Sequence, residues 1–261
     1  MDTNRMESLV KAYASTVRLT RESKRNLRVG ALPAIVISRE VGSGGRFIAA
    51  ELAHALGFKL CDKSIVEVIA SHGGVPVEFV HKLDEHATDT LSLFGVGLIS
   101  GPFLSAGEFG TLLKKTINDL LEEGSVVIVG RGSAFLAKPR MALRVRIIAP
   151  MAMRVHNLAA YLKCDEAHAA KEMQKLESDR DRFHKQLFGS TELQAETYDL
   201  SINTATVSIE EATKLCLSAY EMVTGVKPKM SQEPRDQRLI DKEKTESDFN
   251  TLCLRKSDLH K

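Results

Sequence analysis

One glycine cluster, three arginine-bearing segments and a lone aspartate carry the chemistry open to this chain. The cluster is Val41-Gly42-Ser43-Gly44-Gly45-Arg46. Glycines at 42, 44 and 45 let a backbone curl until its N–H groups converge on an anion. The helical pattern that follows adds a favourable dipole at its N-terminus. Arg46 adds a guanidinium, which grips phosphate through two parallel hydrogen bonds. Gly130-Arg131-Gly132 presents an arginine between two glycines, with little to obstruct its reach to a bound anion. Arg154 stands near the start of a later helix. Asp179-Arg180-Asp181-Arg182 offers guanidinium and carboxylate together, a set that suits a phosphate and a base or ribose edge. Asp62 follows a short apolar run at a strand's end. These residue types point to binding of phosphate. Each has a plainer reading: a turn joining strand to helix, a surface ion pair, a self-paired charge run, and a helix N-cap for Asp62.

The glycine cluster departs from the usual phosphate-binding pattern G-x-x-x-x-G-K-[ST]. Aligned on Gly44, the first-glycine slot holds Arg39, the lysine slot Gly45 and the Ser/Thr slot Arg46. The phosphate lysine and the magnesium hydroxyl are therefore both absent. Arg46, one residue on, is the candidate replacement for the lysine's charge.

The elements that would position these groups alternate along the chain. Ile35-Val36-Ile37 reads as a buried parallel strand, and Ile48, Leu52 and Leu56 share one helix face. Gly57 stops that helix, and Phe58-Lys59-Leu60-Cys61 is a second strand. A helix over Ser64–Ala70 is broken by Gly73-Gly74-Val75-Pro76, and His81, Asp84, Glu85 and His86 then read as a solvated face rather than a metal site. Residues 91–110 are apolar but too glycine-rich for a stable helix and read as a loop or flap. Thr111–Glu123 is a helix, Ser125–Val129 the clearest central strand, and Leu143–Pro150 a strand with alternating arginines. Helices start at Met151 and at Asp165, the latter running to Ser178. Tyr198–Asn203 is a last strand, and Ser208-Ile209-Glu210-Glu211 is a capping box for a helix that ends near Val223, before Gly225. This order predicts an α/β fold, a parallel sheet with helices on both sides.

Residues 1–30 hold seven Lys/Arg against three Asp/Glu, with Met6, Leu9, Val10, Tyr13 and Val17 at helical spacing, and read as an amphipathic extension. From Lys227 on, sixteen charged residues without apolar periodicity predict a disordered tail over 226–261. The body is then a single domain over 31–225. A net charge of +2 across 261 residues gives no footprint for nucleic acid, and the absence of tryptophan argues against base-stacking platforms. No run is long enough to span a bilayer. Four cysteines without a CxxC read as free thiols in a reducing, cytoplasmic setting.

Taken in order, these segments resemble the cytidylate-kinase-like branch of the P-loop nucleoside monophosphate kinases, over about residues 33–224. The carrying stretches are Ile37–Arg46, Cys61-Asp62-Lys63, Val127–Gly132, Leu143–Arg146 with Ala149-Pro150 and Arg154, Asp179-Arg180-Asp181, and Tyr198–Thr204 with the helix start at Ser208. The resemblance implies a three-layer α/β/α P-loop NTPase fold, with a five-stranded parallel sheet and a helical lid over about 151–190. It implies transfer of the ATP γ-phosphoryl group to CMP or dCMP with Mg²⁺. By position, Gly42, Ser43, Gly44, Gly45 and Arg46 would wrap the ATP phosphates. Arg46, Arg131 and Arg154 would supply catalytic charge, and Asp62, Arg131, Arg180 and Asp181 would hold the monophosphate. In the parent family's Gly-Arg-Asp segment the aspartate's place is taken here by Gly132. Because this branch shares the altered loop, a non-catalytic nucleotide-binding regulator is the alternative; a kinase acting on a non-nucleotide acceptor fits the Arg180-Asp181 pair less well.

Overall fold

The computed structural model describes residues 31–62, 106–138, 141–190 and 194–231. Its elements are β1 (Ala34–Arg39), α1 (Gly45–Leu56), β2 (Lys59–Cys61), α2 (Ala106–Glu123), β3 (Val126–Val129), a short α3 (Ser133–Leu136), β4 (Ala142–Ile148), α4 (Met151–Leu162), α5 (Glu166–Phe188), β5 (Leu200–Asn203) and α6 (Ile209–Thr224). The expected N-terminal helix, the helix at 64–70 and the histidine-bearing segment lie outside the described residues.

All five strands are parallel, in the order β2-β3-β1-β4-β5. β1 is central because its residues are apolar on both faces, so two layers can cover it. Ala34 and Val36 pack with Val126 and Ile128 of β3 against Phe109, Leu113 and Ile117 of α2. Ile35 and Ile37 pack the other way, with Val127, Val129 and Val145, against Ile48 and Leu52 of α1 and Cys216 and Tyr220 of α6. The result is a three-layer α/β/α P-loop NTPase-type fold. Tyr220 is fully buried, and its hydroxyl donates to Pro33 O at 2.8 Å, so the large ring enters the core without an orphaned polar atom. The Ser208–Glu211 capping box and the Asp165 N-cap both form, as do the C-terminal stops at Gly57 and Gly225.

Three boundaries differ from the sequence expectation. α2 begins at Ala106, so 106–110 is helical despite Gly107 and Gly110. A Cβ at Gly110 would lie 2.4 Å from Leu187 Cδ2, so close packing of α5 on α2 explains that glycine. α5 does not stop at Ser178 but runs to Phe188, which carries the 179–182 charges on a continuous helix. Beyond α6 the chain continues to Ser231, whose N–H donates to Ala55 O on α1 at 2.8 Å.

Candidate phosphate-binding site

β1 ends at Arg39, and the chain turns through Glu40–Gly44 into α1 at the carboxyl ends of the strands. This is where the connections leaving β1 diverge, and where ligands gather in open parallel sheets. Gly42 and Gly44 each have φ 78°, a left-handed conformation that a Cβ disfavours. A Cβ on Gly42 would also meet Arg154 O of α4 at 2.4 Å. Three of the loop's carbonyls are held by side-chain donors. Asn157 Nδ2 donates to Gly42 O at 2.8 Å, Thr204 Oγ1 to Ser43 O at 2.9 Å, and Ser43 Oγ to Glu40 O at 2.9 Å. The amides of Gly44, Gly45 and Arg46 have no acceptor among the described residues, and α1 has no side-chain cap. Amides left open among the described residues at a helix N-terminus are the donors that an anion seat requires.

Four guanidinium groups, those of Arg39, Arg46, Arg131 and Arg180, lie near enough to one another around this loop to interact electrostatically. Arg46, half exposed, pairs with Asp62 at 3.1 Å, joining the loop to the end of β2. Arg131 sits at the end of β3 with φ 53°, between Gly130 at 69° and Gly132 at 68°. Three consecutive left-handed residues, one of them non-glycine, hold strain of about 1–3 kcal/mol at the arginine. Arg180 reaches from α5, and its Nη1 donates to Arg39 O at 3.0 Å. Arg39 lies between them. Burial, first, and then the charges of Arg180, Arg131 and Arg46 pull its pKa from 12.5 down to about 10, with Asp62 acting the other way. Burial likewise lowers Arg180, where Arg146 adds repulsion and Glu177 opposes it. Arg146, from β4, reaches Ser38 Oγ at 3.3 Å and stands over the Tyr198 ring. This concentration of positive charge can bind a polyanion and stabilise charge on a transferring phosphoryl group.

Two expected site residues stand apart from the seat. Arg154 is buried behind the loop. Its Nε donates to Ala149 O at 3.0 Å and lies 3.4 Å from Glu40 Oε2, while its Nη1 pairs with Glu177. Glu40 in turn accepts from the Ala149 N–H at 3.1 Å. Asp181 lines a groove of about 660 Å³ between α4 and α5, with Met151, Met173 and Arg182, rather than the loop. Arg39, Glu40 and Arg146 did not stand out as site residues in the sequence. For Arg39 the signal was present: an arginine in the glycine slot and a glycine in the lysine slot are reciprocal changes.

The donor set suits a triphosphate but not a protein-held Mg²⁺. Ser43 Oγ is buried against Glu40 O and Ile147 O. The usual metal-hydroxyl slot holds the cationic Arg46, and Asp62 is paired to it. Among the described residues no group of three or more His, Cys, Asp or Glu could hold a metal, and no helix is long and apolar enough to cross a membrane.

A central parallel strand, a glycine turn leading into a helix and a second strand followed by an arginine, together with the family match, define a P-loop protein of the nucleoside monophosphate kinase-like superfamily. Within it the chain belongs to the cytidylate kinase-like family, whose model matches residues 34–206. An uncharacterized protein from Eubacterium ventriosum has a similar structure, with a TM-score of 0.53 and 22% identity, covering 72% of this chain and 98% of that one. Shikimate kinase from Bacteroides thetaiotaomicron gives a TM-score of 0.45 and 12% identity, covering 73% of this chain and 99% of that one. Shikimate kinase from Acinetobacter baumannii, in complex with shikimate, gives 0.39 and 14%, covering 73% and 92%. No curated protein matches the chain.

Proposed function

We propose that this protein is a cytoplasmic phosphotransferase that moves the ATP γ-phosphoryl group to CMP or dCMP. The observation that supports the reading is the clustering of Arg39, Arg46, Arg131 and Arg180 beside a loop whose Gly44, Gly45 and Arg46 amides have no acceptor among the described residues. A monophosphate oxygen is already ionised at neutral pH, so it needs no base to attack. As it bonds to the γ-phosphorus, the bond from that phosphorus to the β,γ-bridging oxygen breaks, giving ADP and the nucleoside diphosphate. The protein's task is alignment and charge. Gly42 to Arg46 wrap the ATP phosphates, and Arg46 and Arg131 meet the transferring group. Arg131 and Arg180 hold the acceptor phosphate, Asp62 orients Arg46, and Asp181 is the family-derived candidate for the cytosine edge. Arg154 is a positioning residue, fixing Glu40 and the back of the loop. Among the described residues the two candidate ligands for Mg²⁺ are engaged elsewhere, Ser43 Oγ with Glu40 O and Asp62 with Arg46.

The second reading, a nucleotide-binding regulator without turnover, is favoured by one observation, the exchange of the loop's lysine and hydroxyl for Gly45 and Arg46. The two separate in one assay. Purified protein is mixed with ATP, Mg²⁺ and each nucleoside monophosphate in turn, and ADP release is followed. Release stimulated by CMP or dCMP supports the transferase. ATP-induced thermal stabilisation without release in any mixture supports the regulator. Under the transferase reading, Arg180→Ala raises KM for CMP far more than KM for ATP.

A further inference from the structure

Arg39 and Gly45, six residues apart in sequence, come into contact in the structure. A Cβ on Gly45 would lie 2.6 Å from Arg39 Cβ and 3.2 Å from its Cγ. The Arg39 stem therefore fills the space where a side chain at 45 would begin. Its head continues to the end of β3, where a Cβ on Gly130 would lie 2.3 Å from Nη1 and 3.2 Å from Cζ. Both glycines are needed for Arg39 to take this path. At its far end the guanidinium makes no hydrogen bond or ion pair with a carboxylate among the described residues. Its strongest charged neighbours are Arg180, Asp62, Arg131 and Arg46, and Asp62 is already paired to Arg46. A partly buried charge left this way is unfavourable in the empty protein and becomes favourable when an anion enters.

We infer that Arg39 is the loop's transposed phosphate cation, doing from the end of β1 what the lysine and metal do in other P-loops, so that triphosphate binding here does not require a divalent cation. This rests on the reading that the loop holds a triphosphate. The delocalised guanidinium contacts two phosphate oxygens at once, which a lysine point charge does not. Arg46, in the slot of the metal-binding hydroxyl, adds a fixed charge beside it.

The test is calorimetric titration of the full chain with ATP and with inorganic tripolyphosphate, each in excess EDTA and again in Mg²⁺. Affinity in EDTA within a few-fold of that in Mg²⁺ supports the inference. So does a loss of roughly a hundredfold in both media for Arg39→Met. A melting temperature of Arg39→Met at or above wild type shows that the variant folds and that the lost charge was unfavourable in the empty protein. Binding of ATP in Mg²⁺ but not in EDTA overturns the inference and leaves the phosphate-loop reading intact. Wild-type affinity in Arg39→Met does the same. Failure of both ligands to bind in either medium overturns both readings.

Discussion

Arg39 Cβ lies 2.6 Å from the point where residue 45 would carry its own Cβ, so these two positions cannot both bear side chains on this backbone. Gly45→Lys alone, which restores the familiar loop residue, is therefore expected to lower the melting temperature and abolish nucleotide binding. Arg39→Gly alone removes the cation and is expected to lose binding while keeping the fold. The double exchange Arg39→Gly with Gly45→Lys restores one cation and relieves the overlap. It should melt above Gly45→Lys and recover ATP binding. Thermal melts and ATP titration of the four proteins give the coupling directly. Additive losses in the double variant would show that the two positions act independently.

Arg154 and Arg46 should separate stability from turnover. Arg154→Ala leaves Glu40 and Glu177 without the cation that both now face. Because those carboxylates are partly exposed, the cost is less than for a fully buried pair, about 2 kcal/mol. That corresponds to a fall in melting temperature of roughly 4–8 °C for a chain of this size. Arg154→Lys should recover part of it, since an ammonium cannot face both carboxylates as a fork does. Arg46→Ala removes the partner of the buried Asp62, but Arg39 stays beside that carboxylate, so the melt should fall by less than in Arg154→Ala, while ADP release falls by roughly 10²–10³.

The fold was largely legible in the sequence because its signals are local. Uninterrupted apolar strands, Gly57 and Gly225 as stops and the Ser208–Glu211 box each act within a few residues. The converging arginines were legible in part, since Arg131 and Arg180 belong to segments with recognisable order. What could not be read was which groups meet. Arg154 looks like a free lid arginine until α4 and α5 pack and bring Glu177 to it. Asp181 sits beside Arg180 in sequence, yet helical geometry sends it into the α4–α5 groove. Gly110 looked like a helix breaker because its reason, Leu187, lies far along the chain.

Gly132 is held by the same kind of distant constraint. It has φ 68°, and a Cβ there would lie 2.1 Å from Phe188 Cε2. Phe188 stacks on Phe135 with ring centroids 4.6 Å apart, fastening the end of α5 over the turn that carries Arg131. Gly132→Asp, which recreates the Gly-Arg-Asp order of the parent family, should cost about 2–3 kcal/mol from the strained backbone and the displaced ring together. Phe188→Ala should cost less in the Gly132→Asp background than in wild type. Urea denaturation of the two single variants and the double variant measures this. Equal costs in both backgrounds would mean that the ring does not constrain residue 132.

Alkaline pH should weaken the fold through buried groups of the core. Burial pushes the Cys216 thiol from 9.0 up to about 12 and raises the Tyr220 phenol and the Cys61 thiol as well. In the unfolded chain these groups lose protons near their ordinary values, so above pH 9 the folded state binds more protons and stability falls as pH rises. At pH 9.5 Cys216 alone accounts for a loss of about 1 kcal/mol relative to pH 7.5. Arg39 acts in the opposite sense, because its folded pKa of about 10 is lower than its unfolded value. Its unfavourable charge is present in full at neutral pH and is relieved only as pH rises past 10, too late to offset the loss at 9.5. Cys216→Ala is expected to be less stable than wild type at both pH values, through the cavity it leaves, but to lose about 1 kcal/mol less between them. Equal losses in the two proteins, measured by urea denaturation at pH 7.5 and 9.5, would show that the Cys216 thiol ionises as readily in the folded chain as in the unfolded one.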